Sequence, residues 1–150
     1  MGFTTLSSAI NFYKNLEDTA SRFYEKYARD ENYSTMRELF LDLARDNIKQ
    51  KNIILRTYQE AITDVLEVGS ALEGLREEDY RLPKTPSAGS KNKDILEYAL
   101  ILEDCGIRFC FDVSIKIRTL LTDISRSFES AGKRKRERKM RVENALRSLI

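Results

Sequence analysis

The chain has 150 residues, which suits one domain with a proper core and gives no sign of a second. Its 26 Lys and Arg against 24 Asp and Glu leave a net charge of only +2, so global charge implies no partner. Histidine and tryptophan are absent and glycine and proline are scarce, which fits an all-helical protein and leaves no imidazole for catalysis. No run approaches the roughly 20 apolar residues that cross a bilayer, and the N-terminal "MGFTTLSSAINFYKNLED" lacks a long apolar core. A soluble, cytoplasmic protein is expected.

Hydrophobic periodicity predicts four long helices. The first covers about 5–28, with Leu6, Ile10, Tyr13, Glu17, Ala20, Tyr24 and Tyr27 on one stripe at 4-3-4-3 spacing. "RDENYS" makes a turn, and Ser34 or Thr35, with Glu38 placed for a capping box, opens a second helix over 35–68. Its stripe of Phe40, Leu43, Ile54 and Ala61 also takes in the amides Asn47 and Gln50. Residues 69–92 hold both prolines and half of the glycines and read as a long crossover. A third helix over 93–112 carries Leu96, Ala99, Glu103, Gly106, Cys110 and Val113 inward. A fourth runs over 115–148, although no Pro or Gly marks the break before it.

An internal repeat supports this division. "LEDTASRF" (Leu16 to Phe23) matches "LEDCGIRF" (Leu102 to Phe109), and "LFLDLAR" (Leu39 to Arg45) matches "LLTDISR" (Leu120 to Arg126) in the same order. The chain therefore reads as a duplicated helical hairpin joined by the crossover.

A duplicated hairpin with a long crossover, a Glu on the inner stripe of helices one and three, and an LA-type stripe on helices two and four resembles the ferritin-like superfamily, most of all its rubrerythrin-like branch. The resemblance implies an all-α, ferritin-like four-helix bundle whose core holds two iron or manganese ions. Helices one and three would each give one Glu, and helices two and four a Glu-x-x-His pair each. Carried over by residue, the single Glu positions fall on Glu17 and Glu103. The pair of helix two falls on Asn47 and Gln50, and that of helix four on Phe128 and Ala131. Two amides, a phenyl ring and a methyl do not complete a dinuclear centre. The resemblance thus implies a degenerate metal site, with Glu17 and Glu103 as its remaining ligands.

A hydrogen-bonded, metal-free polar cluster is the expectation, with an iron or manganese ion on Glu17 and Glu103 as the alternative. Donors for the buried carboxylates are expected from the Asn47 and Gln50 amides and the Tyr13 and Tyr24 hydroxyls. Lys135 and Arg138 fall on the extrapolated stripe of helix four and also reach inward. Asp46 and Glu129, one residue off the stripe, are expected to face out.

A second feature is "GKRKRERKMR", where Lys133, Arg134, Lys135, Arg136, Arg138, Lys139 and Arg141 are basic. Such a run serves either as a phosphate-binding patch for nucleic acid or an acidic partner, or as a solvated face paired with Glu137 and Glu143. Cys105 and Cys110, about 8 Å apart on one helix, are too distant for a disulfide and read as packing residues. No P-loop, dinucleotide turn or activated nucleophile is present.

The expected function is a ferritin-like bundle without its di-iron site, acting as a non-catalytic binding or assembly protein. A homodimer is favoured, with Phe12, Phe23, Phe109 and Phe111 offering apolar surface beside the core stripe. The alternatives are a metal-dependent oxidoreductase or iron-binding protein with a reduced carboxylate site, and a nucleic-acid-associated protein using its basic C-terminal helix.

Overall fold

The computed structural model describes residues 2–3, 5–61 and 69–149. Four long helices dominate it: α1 (Leu6–Ala28), α2 (Arg37–Ala61), α3 (Asn92–Ile117) and α4 (Thr122–Arg147). Among the described residues the one pairing of extended backbone is a bridge between Gly2 and Arg76. No described helix is long and apolar enough to cross a membrane. The predicted continuation of the second helix over 62–68 lies outside the described residues.

The inner stripes behave as their spacing dictates. Every named stripe residue of α1 and α3 is buried, and so are Phe40, Leu43, Asn47 and Ile54 of α2, with Gln50 half-buried. Thr5 caps α1 by accepting from the Ser8 N–H at 3.0 Å, while Ser8 Oγ accepts from the Thr5 N–H at 3.2 Å. At α2 the cap differs from expectation. Asp30, not Ser34 or Thr35, accepts an N–H (Asn32, 2.9 Å), and a 3-10 segment (Glu31–Met36) leads directly into the helix.

Cross-helix contacts fix the directions. α1 runs antiparallel to α2, as Tyr24 against Phe40 and Asp18 against Lys51 show. α3 runs antiparallel to α4, through Ser114–Ser125, Phe109–Phe128 and Glu103–Arg138. Tyr13 against Phe109 and Phe23 against Tyr98 set α1 antiparallel to α3, and Asp42–Arg141 with Thr57–Ser127 do the same for α2 and α4. α1 and α4 therefore point one way, α2 and α3 the other. That arrangement requires one long connection, between α2 and α3. Two 3-10 segments, Gly69–Leu72 and Glu77–Tyr80, lie in it. Tyr80 donates to Asp112 (2.5 Å), Arg108 to the Asp79 carbonyl (2.9 Å), and Tyr98 to the Pro83 carbonyl (2.9 Å), which straps the crossover onto α3.

The boundary between the last two helices departs from the sequence expectation. α3 runs on to Ile117 and α4 starts at Thr122, so the break lies at 118–121 and not near 113. Its physical cause is the apolar stripe, which continues unbroken through Cys110, Val113 and Ile117, all fully buried. Ser114 and Ser125 lock the two helices just before the turn: each hydroxyl donates to the other residue's carbonyl, at 2.9 and 2.8 Å. Leu120 and Leu121, matched in the sequence to the helical Leu39 and Phe40, sit in the turn itself.

The apolar core is divided. One cluster holds Tyr13, Ile54, Phe109, Phe128 and Ala131, and the other holds Ala20, Tyr24, Leu43, Leu102 and Val142. Between them, on every helix, the stripe passes through a charged or polar residue.

Candidate functional site

The dividing layer is built from Glu17 on α1, Asn47 on α2, Glu103 on α3, and Lys135 and Arg138 on α4, each no more than 3 % exposed. A bare carboxylate or ammonium is far too costly to desolvate at this depth, so each must find a partner. Lys135 Nζ donates to Glu17 Oε1. Arg138 Nη2 donates to Glu103 Oε2 at 3.0 Å. Tyr24 donates to the same Glu103 oxygen at 2.6 Å, and Tyr13 to Glu17 Oε2 at 3.3 Å. The tyrosine donors and the inward reach of Lys135 and Arg138 are as the sequence predicts.

Two further expectations need correction. Asn47 gives neither carboxylate a hydrogen bond, and both of its amide atoms are without a partner among the described residues. Asp46 does not face out. It is 11 % exposed and accepts from Arg134 Nε at 3.1 Å and from Arg138 Nη1 at 3.4 Å. Three carboxylates thus meet three cations around the layer, and the centre is charge-balanced by protein groups.

Phe128 and Ala131 are fully buried but belong to the apolar cluster beside the layer. The α4 side chains that reach the two glutamates lie about two helical turns further on, at Lys135 and Arg138, again spaced i, i+3. A small residue on α3 makes room for Lys135. Gly106 stands where the first repeat has Ala20, and a Cβ there would lie 3.0 Å from Lys135 Cδ.

The electrostatics follow from burial. Burial opposes the Arg138 charge, but Glu103, Tyr24, Glu17 and Asp46 outweigh it and hold the guanidinium pKa above its ordinary value. Burial, reinforced by the neighbouring Glu17 and Glu103, keeps the Tyr13 and Tyr24 hydroxyls protonated well above the usual tyrosine range. The two thiols are free and buried, and burial pushes Cys110 up to about 12, so neither is an activated nucleophile.

The donor set does not fit a dinuclear metal centre. Glu17 and Glu103 are the layer's own carboxylates, and both already carry a cation. The second helix offers an amide, the chain has no histidine, and no group of three or more metal-ligating side chains is found among the described residues.

The basic run of α4 is spent inside the chain. Besides Lys135 and Arg138, Lys133 pairs with Glu129 (3.2 Å), Arg134 with Asp46 (3.1 Å), Lys139 with Asp104 (2.8 Å) and Arg141 with Asp42 (3.1 Å). Arg136 lies over the Phe111 ring at 4.2 Å. The four phenylalanines are engaged likewise. Phe23 and Phe109 are core residues, Phe12 packs on Phe3, Tyr80 and Phe109, and Phe111 is covered by Arg136. The exposed apolar side chains are others, among them Ile48, Ile53, Ile101, Ile115 and Met140.

The class of protein these observations define is an all-helical bundle of four long helices with a charge-paired polar centre. Comparison with protein-family models, with curated proteins and with solved structures gives no match to this chain.

Proposed function

We propose that this chain is a ferritin-like bundle, of rubrerythrin-like descent, in which the cations of Lys135 and Arg138 take the place of two metal ions. It then acts through binding or assembly and not through oxidation. The observation that carries this reading is the pair of buried bridges, Glu17–Lys135 and Glu103–Arg138. In a di-metal bundle the inner glutamates need dications to balance them, and here two side chains of helix four supply that charge. The helix directions, the single long crossover and the repeated L-E-D…R-F segments support the same descent.

A buried bridge contributes little net stability, because desolvation offsets most of the Coulombic gain. Its use is to specify which helices meet and at what register, since any slip leaves a charge buried alone. Binding or assembly then falls to the surface, as a homodimer or with another partner, where Ile48, Ile53, Ile101 and Met140 stand exposed. Iron or manganese on Glu17 and Glu103 would first have to displace Lys135 and Arg138, with no imidazole to complete the coordination.

Aerobic oxidation of added Fe(II), followed by absorbance, tests this reading. The expected rate equals that of buffer, with or without Glu17→Gln and Glu103→Gln. A rate well above buffer that the double variant abolishes would restore the oxidase.

A further inference from the structure

Five polar atoms of the central layer find no partner among the described residues: Ser21 Oγ, Asn47 Oδ1 and Nδ2, Glu103 Oε1 and Arg138 Nε. Their side chains come one from each helix and are all more than nine-tenths buried. Two of these side chains touch, and the other two stand beside residues that touch them. Glu103 and Arg138 are paired at 3.0 Å, and Arg138 reaches Asp46, the chain neighbour of Asn47, at 3.4 Å. Ser21 lies on the buried face of α1 between Glu17 and Tyr24, and Tyr24 donates to Glu103.

A buried polar atom with no partner costs about 1–3 kcal/mol, and native interiors satisfy nearly all of them, commonly through internal water. The chemistry of these atoms selects the ligand. Asn47 Oδ1 and Glu103 Oε1 only accept, Asn47 Nδ2 and Arg138 Nε only donate, and the Ser21 hydroxyl does either. A cation would meet two N–H donors, one of them on a guanidinium, while an anion would meet a carboxylate. Water alone donates and accepts at once. We infer that this layer is an internal hydration site, holding at least one long-lived water that bridges Asn47, Glu103 and Arg138 with Ser21 at its edge. The water supplies the donor that the second oxygen of Glu103 lacks. It also accounts for an amide on the inner stripe of α2, where Leu would otherwise stabilise more. This inference rests on the charge-paired, metal-free reading of the same centre.

A high-resolution crystal structure of the full chain, with anomalous data at the iron and manganese edges, tests it. The expected result is a spherical peak within hydrogen-bond distance of at least two of Asn47, Glu103 Oε1 and Arg138 Nε, with no anomalous signal. In Asn47→Leu that peak disappears while the Glu103–Arg138 pair remains; if this variant does not fold, the wild-type density decides alone. Direct contact between Asn47 and Glu103, with no density between them, overturns the hydration site and leaves the charge-paired centre standing. An anomalous peak on Glu17 or Glu103 overturns both.

Discussion

Arg138 reaches from α4 to Glu103 on α3 at 3.0 Å, and both side chains are at least 97 % shielded from water. The pair sits where two apolar clusters meet, so bulk water cannot replace either partner if the other is removed. Arg138→Met should therefore destabilise the fold by about 3–5 kcal/mol, as expected for an uncompensated buried carboxylate. Adding Glu103→Leu should recover most of that loss, because two apolar side chains need no partner. Urea denaturation of the single and double variants gives the coupling. Equal loss in both would mean that the charge pairing is not what the site depends on.

The basic run of α4 should not retain nucleic acid. Binding to phosphates draws on unbalanced positive charge, and six of the seven cations already face a carboxylate of this chain. Electrophoresis with duplex DNA at about 0.15 M salt should show no retardation. Retardation lost on neutralising Lys133, Arg136 and Lys139 would show that the run is a phosphate-binding face after all.

Stability should fall on the alkaline side. Tyr13 and Tyr24 have folded-state pKa values raised by burial and by Glu17 and Glu103, so the folded chain holds these protons more tightly than the unfolded one. Their contribution is complete below about pH 10 and is lost as pH rises above it, at about 1.4 kcal/mol per pH unit for each group. The raised pKa of Arg138 acts in the same sense at higher pH. Unfolding free energy measured from pH 8 to 12 should bend downward near ~10, and Tyr24→Phe should make the decline shallower. An unchanged slope in that variant would remove Tyr24 from the account.

Much of this centre was legible in the sequence. Glu17 and Glu103 stand out because a 4-3 stripe and a repeated segment both place a carboxylate among apolar residues, and Lys135 and Arg138 follow by extending the stripe of α4. Three things were not legible. The match of "LLTDISR" to "LFLDLAR" set helix four about two turns early, because local identity does not fix where a hairpin turns; the unbroken Cys110–Val113–Ile117 stripe was the better signal. Asp46 was placed outside by periodicity, whereas Arg134 from the surface and Arg138 from within both pair with it and cover it. Which carboxylate each cation would choose depends on register between helices distant in sequence, and no single-helix pattern carries that.

Metal content after loading tests the central claim most directly. Purified protein is incubated anaerobically with Fe(II) and Mn(II), desalted and assayed for metal per chain. A charge-paired centre predicts a ratio near zero in wild-type protein. A ratio of about two per chain, the stoichiometry of a dinuclear bundle, would show that Lys135 and Arg138 yield to metal and would contradict the account.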